Sequence, residues 1–253
     1  MDLGLAGKNA VITGSTRGIG RAIANLLADE GTNLAICSRN QEEVDSAVAE
    51  LSAKGVKVTG AVVDVADKAS YQAWIASVGE ELGGIDIFVP NVSAGGGNMS
   101  EEGWEANFNI DLLGTTRGVE AAMPFLEKSS AASIVVISST AGVETFMGPQ
   151  PYNAIKGALV IHAKQLSQAL APAGIRVNCV SPGPIFIEGG AWEFIKENMT
   201  DLYDATLADI PSGRFGSAEE IANTVAFIAS PAASLITGVN LVADGGFTKR
   251  VQL

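Results

Sequence analysis

The chain has 253 residues, 47% of them hydrophobic and 17% charged, enough apolar mass for one substantial core. A formal net charge of −12 excludes nucleic acid and anionic membranes as partners, since both attract cationic surfaces. His162 is the single histidine, which excludes zinc sites built on histidine and any Ser-His-Asp triad. Cys37 and Cys179 stand far apart without metal-type spacing, so a reduced, cytoplasmic setting is the default. The N-terminal MDLGLAGKNAVIT carries no basic segment followed by a long apolar run, and no apolar stretch approaches the roughly 20 residues a bilayer requires. The expectation is a soluble cytoplasmic protein. Its mean hydropathy of +0.26 suggests that some apolar surface is buried between subunits.

In chain order, apolar runs predict strands over 9–13, 33–38, 57–63, 86–91, 133–139, 176–180 and 236–242. Helical patterns fall between them, over 18–29, 42–53, 68–82, 101–127, 152–171 and 218–229. The strands are rich in Val, Ile and Leu with little polar alternation, as expected where helices cover both faces of a sheet. Regular β–α alternation predicts a single α/β domain over 1–253, a doubly wound, Rossmann-like parallel sheet of about seven strands. One segment breaks the rhythm. Residues 185–211, IFIEGGAWEFIKENMTDLYDATLADIP, separate the sixth strand from the last helix, and a connection this long is usually functional. The segment reads as a substrate lid, or as a small insertion packing Trp192, Ile195 and Met199 inward; a lid can do both.

The first strand runs into Thr13-Gly14-Ser15-Thr16-Arg17-Gly18-Ile19-Gly20 and a helix follows. Glycines permit a tight turn and let backbone N–H groups approach a pyrophosphate, while the helix N-terminus adds partial positive charge. Farther along stands PYNAIKGAL, with Tyr152 four residues before Lys156, on one helix face about one turn apart. Taken alone that pair is a weak pattern, equally suited to a buried aromatic with a lysine nearby.

Together, TGSTRGIG, Tyr152-x-x-x-Lys156 and Ser139 thirteen residues before the tyrosine resemble the short-chain dehydrogenase/reductase family. The resemblance extends over essentially the whole chain, through Asp64-Val65, Ser181-Pro182-Gly183, SGRFGSAEEIA and TGVNLVADGG. It implies cofactor contacts from Gly14, Ser15, Thr16, Arg17, Gly18, Ile19 and Gly20. It also implies Asp64 and Val65 at the adenine, Asn91 near the adenine-side ribose, and Pro182, Gly183 and Ile185 at the nicotinamide carboxamide. An NAD enzyme of this fold places an acid at the end of its second strand; here Ser38 occupies that position and Arg39 follows. With Arg17 on the turn, two guanidinium groups suit a 2′-phosphate. The expected cofactor is NADP(H).

Carbonyl reduction needs a hydride at carbon and a proton at oxygen. A phenol with an ordinary pKa of about 10 becomes a usable acid–base group beside an ammonium that favours the phenolate. By resemblance, Tyr152 is that group, Lys156 lies beside it and binds the nicotinamide ribose, and Ser139 hydrogen-bonds the substrate oxygen. Two departures stand out. Where the family has an asparagine that helps hold a relay water, seven residues after the helix-four tryptophan, this chain has Asp111 after Trp104, a candidate catalytic residue that accepts hydrogen bonds but donates none. Pro90-Asn91-Val92-Ser93 replaces the usual Asn-Asn-Ala-Gly, and proline removes a backbone donor.

The substrate pocket is expected from Ala94 and Gly95, from 140–150 and from the lid after Phe186. Val143, Phe146, Met147, Trp192 and Phe194 make it mostly apolar, suited to a bulky, uncharged ketone or its secondary alcohol. The rivals are a 3-oxoacyl-(acyl carrier protein) reductase and a catalytically idle NADP-binding scaffold. The resemblance further implies a homo-oligomer, a tetramer or dimer, associated through the fourth and fifth helices.

Overall fold

The computed structural model describes residues 2–251. Its strands are β1 (Asn9–Thr13), β2 (Asn33–Ser38), β3 (Val58–Val62), β4 (Ile87–Val89), β5 (Ser133–Ile137), β6 (Arg176–Pro182) and β7 (Asn240–Ala243). They form one sheet in the order β3-β2-β1-β4-β5-β6-β7, parallel throughout. The chain winds outward from β1 to β3, then crosses back to β4. The direction therefore reverses between β1 and β4, and a crevice opens past their carboxyl ends, where ligands of such sheets bind.

Helices α1 (Gly18–Asp29), α2 (Gln41–Ser52) and α9 (Ala218–Ala229) cover one face; α3 (Lys68–Leu82), α5 (Gly114–Leu126) and α6 (Pro151–Leu170) cover the other. Successive strand residues point to opposite faces. Ile12, Ile36, Val89 and Val180 accordingly pack with Ile23, Leu27 and Ile228, while Val11, Ala35, Phe88 and Cys179 pack with Tyr71, Ile75, Leu126 and Leu159. Both sets are buried, which is why the strand sequences lack polar alternation.

The expected single helix over 101–127 is three pieces: α4 (Glu101–Ala106), a π-helical stretch Asn107–Leu113, and α5. A π-stretch widens the helix locally and re-aims its side chains, a device common at functional sites; here Asp111 is turned fully inward. The fourth strand is shorter than expected because Pro90 has no N–H to give the ladder and the Asn91 N–H turns to Thr13 Oγ1. The seventh starts late because the Ile236 carbonyl is taken by the side chains of Arg176 and Asn178. The long insertion holds α7 (Ala191–Asn198) and α8 (Thr200–Asp209). Among the described residues, no helix is long and apolar enough to cross a membrane.

Candidate active site

β1 delivers the chain into the glycine-rich turn, where Gly14 takes φ +63°, a left-handed conformation that glycine adopts without penalty. The first turn of α1 lies directly on this backbone. A Cβ on Gly20 would overlap the Gly14 carbonyl oxygen and stand 2.5 Å from Asn91 Nδ2. Asn91 Nδ2 itself donates to the Thr13 and Gly14 carbonyls, each at 3.0 Å. The Asn91 NH₂ is therefore committed to the turn, while the residue lines the cleft beside it.

Ser15, expected at the cofactor, is turned to the core instead. Its hydroxyl donates to the Ile12 carbonyl at 2.8 Å and its N–H to the Cys37 carbonyl at 3.2 Å, so it ties the turn to β2 and faces away from the cleft. The Ile19 side chain likewise packs on the core.

A cleft of about 900 Å³ occupies the crevice. Thr16, Arg17 and Gly18 line it from the turn, Ser38 and Arg39 from the end of β2, and Asp64 and Val65 from beyond β3. α2, α3 and α9 are capped by the side chains of Asn40, Asp67 and Ser217. At α1 no side chain caps the N-terminus and no acid lies in the first turn, so its amides and dipole are left for an anion. These residues fit a dinucleotide: amides for the pyrophosphate, and Arg17 with Arg39 where a 2′-phosphate would need cations. One contributor was not legible in the sequence. Glu43 also lines the cleft and accepts from Thr16 Oγ1 at 2.7 Å; in sequence it is one more acid in the first turn of a surface helix.

On the far side of the crevice, Pro182 ends β6, and Gly183 N–H donates to the Ala243 carbonyl at 2.9 Å. Ile185 is buried in the core, leaving only its backbone for a ligand. The cleft wall continues instead through Ile187, Glu188 and Gly189 at the start of the insertion.

The residues expected to react stand beyond Ala94. α6 starts with Pro151 at its first position, where proline's missing N–H costs nothing. Lys156 Nζ lies 5.6 Å from the Tyr152 ring centroid, donates to the Ile137 carbonyl at 3.2 Å, and is ion-paired with Asp111 Oδ1 at 3.0 Å. The other Asp111 oxygen accepts from the Ala94 N–H at 2.7 Å. Burial works against the ammonium, but Asp111 first, then Tyr152 and Cys179, outweigh it and hold the Lys156 pKa above the ordinary lysine value.

Ser139 stands at the end of β5, where its Oγ accepts from the Ala141 N–H at 3.1 Å and caps a single 3₁₀ turn, Thr140–Gly142. That turn is pressed against α6: a Cβ on Gly142 would lie 2.5 Å from Gly157 N and from Lys156 C. Ser138 Oγ donates to the Lys156 carbonyl at 2.8 Å. The position of Ser139 relative to Tyr152 and Lys156 is thus fixed by backbone contact.

An aromatic cluster ties the insertion to the body of the domain. Phe146 and Trp192 have centroids 6.2 Å apart, Trp192 and Phe215 4.9 Å, Tyr203 and Phe215 4.6 Å in a stack, and Phe146 and Phe247 5.7 Å edge-on. Of the residues expected in an apolar pocket, Phe146 and Trp192 join the cluster. Phe194 is 61% exposed and does not. Tyr203, Phe215 and Phe247 come from three separate segments, and no local pattern announced them. Met147, on the same loop as Phe146, holds φ +54°, a strained conformation for a residue with a side chain.

A family model described as enoyl-(acyl carrier protein) reductase matches residues 14–248. The human dehydrogenase/reductase SDR family member 4 is 36% identical over 252 residues, covering 98% of this chain and 90% of that protein. The chain belongs to the short-chain dehydrogenase/reductase family. Another short-chain dehydrogenase/reductase, isoepoxydon dehydrogenase patN of Penicillium expansum, is 39% identical over 247 residues, covering 96% of this chain and 95% of its own length. Among solved structures, L-sorbose reductase from Gluconobacter frateurii, complexed with NADPH and L-sorbose, superposes with a TM-score of 0.92 at 32% identity, covering 99% of this chain and 100% of that one. An NADPH-dependent reductase involved in bacilysin biosynthesis gives 0.88 at 29% identity, covering 96% of this chain and 99% of that one. As a short-chain dehydrogenase/reductase, the protein is an oxidoreductase of the ketone–alcohol type.

Proposed function

We propose that the protein is an NADP(H)-dependent ketoreductase, interconverting an uncharged ketone and its secondary alcohol, with Tyr152 as general acid and base. The observation that carries this reading is the buried Lys156 ammonium, held by Asp111 and the Ile137 carbonyl, beside the Tyr152 ring. When bound, the nicotinamide supplies the hydride that forms the new C–H bond. In the direction of reduction, the Tyr152 hydroxyl gives its proton to the substrate oxygen as the C=O π pair collects there, and the resulting phenolate is stabilised by the nearby ammonium. Ser139 Oγ donates to the same oxygen and steadies its developing charge. Oxidation of the alcohol reverses each transfer. Gathering these groups at one point removes much of the entropic barrier to the reaction.

NADP(H) is supported by Arg17 and Arg39 on the cleft and by Ser38 in place of an acid. The NADPH of the two solved relatives agrees with it. An uncharged, bulky substrate is supported by the aromatic cluster shared between the insertion and the body, and the L-sorbose of one solved relative is also uncharged. The second reading is a 3-oxoacyl-(acyl carrier protein) reductase, and the acyl carrier named in the description of the matching family model speaks for it.

The deciding experiment follows NADPH and NADH oxidation side by side over bulky ketones and 3-oxoacyl thioesters. Ketone turnover with NADPH is expected. Thioester turnover alone would install the second reading, and a preference for NADH would overturn the role of the arginines.

A further inference from the structure

Resting on that reading, we propose that Asp111 is a positioning residue that holds the Lys156 ammonium in a buried ion pair and offsets part of its charge at the Tyr152 hydroxyl. The geometry assigns the carboxylate two tasks at once. One oxygen faces Lys156 Nζ at 3.0 Å and the other takes the Ala94 N–H at 2.7 Å. Both partners of the pair are buried, with side-chain exposures of 3% and 0%. A charge pair so far from water persists only when its remaining hydrogen-bonding capacity is met. Here the Ile137 carbonyl takes one ammonium donor and the Ala94 N–H bonds the other carboxylate oxygen.

An amide at 111 fails this test. It has one acceptor oxygen and an NH₂ that only donates, so it would aim a donor either at the Ala94 N–H or at the ammonium. The π-helical stretch that carries Asp111, the loop that begins at Ala94 and α6 are thus clamped through a single carboxylate. An ammonium has three donors. The Ile137 carbonyl takes one of them and Asp111 Oδ1 faces the ammonium as its counter-ion, so donor capacity remains for the reacting centre.

Among the described residues, the ionisable groups acting on Lys156 are Asp111 from the π-stretch, Tyr152 from its own helix and Cys179 from β6. Burial pushes the Cys179 thiol up to about 12, so it is neutral throughout the working range. Asp111 is then the anion that balances Lys156 whenever Tyr152 carries its proton. Removing it leaves the ammonium uncompensated, and Tyr152 releases its proton at lower pH.

The test is the pH profile of kcat/KM for alcohol oxidation with saturating NADP⁺, for the wild type, Asp111→Asn, Asp111→Ser and Asp111→Glu. Tyr152→Phe serves as the control. The limb that rises with pH is expected to move down by about one pH unit in Asn and Ser, the low end of what a single nearby charge does, and to return toward the wild-type position in Glu. A limb that stays in place while activity falls would reduce Asp111 to a structural support; a move to higher pH would reverse the assigned sign. Either result overturns the proposal. Retained turnover in Tyr152→Phe would instead overturn the acid–base reading beneath it.

Circular dichroism checks folding of each variant. If the neutral variants do not fold, ¹⁵N NMR of lysine-labelled wild type decides. Lys156 must give a slowly exchanging ammonium signal still protonated at pH about 10, near the ordinary lysine range. A neutral amine there would overturn the ion pair.

Discussion

Gly20→Ala sets two effects against each other. Gly20 lies inside α1, and on helix propensity alone alanine there would stabilise the protein by about 1 kcal/mol. The added Cβ, however, would overlap the Gly14 carbonyl oxygen and stand 2.5 Å from Asn91 Nδ2. Forcing a methyl into so close a contact costs about 1–3 kcal/mol. The displaced Asn91 would also lose its hydrogen bonds to the Thr13 and Gly14 carbonyls, at about 1 kcal/mol each. The balance is a destabilisation of about 2–4 kcal/mol once the propensity gain is subtracted. In a domain of this size that corresponds to roughly a 4–16 °C fall in Tm. Because the same turn lines the cleft, NADPH binding should weaken with it. Differential scanning calorimetry and quenching of protein fluorescence by NADPH measure the two effects. A variant as stable as wild type, with unchanged affinity, would refute the close packing of turn, helix and Asn91.

Three further outcomes follow. Arg39→Ala should weaken NADPH binding about tenfold or more, the worth of a charge-assisted hydrogen bond, and leave NADH nearly untouched; equal losses for both, by fluorescence titration, would remove the guanidinium from the 2′-phosphate. Burial pushes Cys37 and Cys179 each up to about 12, so a thiol reagent at neutral pH should label neither until urea unfolds the chain. Fast labelling of the native protein would contradict their burial. The Arg214 guanidinium, with the Ser217 N–H, holds Glu220 down at about 2 from an ordinary 4.5, so its stabilising contribution is present above pH 4.5 and lost as pH falls through about 2. The pair is on the surface, so solvent screening keeps its contribution small. The Tm difference between wild type and Glu220→Gln should therefore stay level above pH 4.5 and shrink below it. A difference that grows on acidification would reverse the sign.

The sheet was legible because its signals are local. Apolar runs located the strands, and α1 and α3 begin and end where periodicity places them. Strand ends were harder, since they depend on partners distant in sequence: Asn91 leaves the ladder for Thr13, and Ile236 is claimed by Arg176 and Asn178. At the site, the glycine-rich turn drew attention by its place at the first β–α junction, and Tyr152, Lys156 and Ser139 through the resemblance to the family. The inward path of Ser15, the commitment of the Asn91 NH₂ to the turn, and Glu43 in the cleft could not be read, because each depends on which face of a turn or helix meets a remote backbone. Asp111 falls between these cases. Its residue type drew attention as a departure from the family pattern, but only the π-helical stretch brings its carboxylate onto Lys156.

The most direct measurement is turnover by Tyr152→Phe. With NADPH and whichever ketone the wild type reduces fastest, the variant should bind the cofactor normally and reduce the ketone at least about 100-fold more slowly, the scale of general acid–base catalysis. Normal binding with turnover within a few-fold of wild type would contradict Tyr152 as the proton donor, and with it the account of Lys156 and Ser139 beside it.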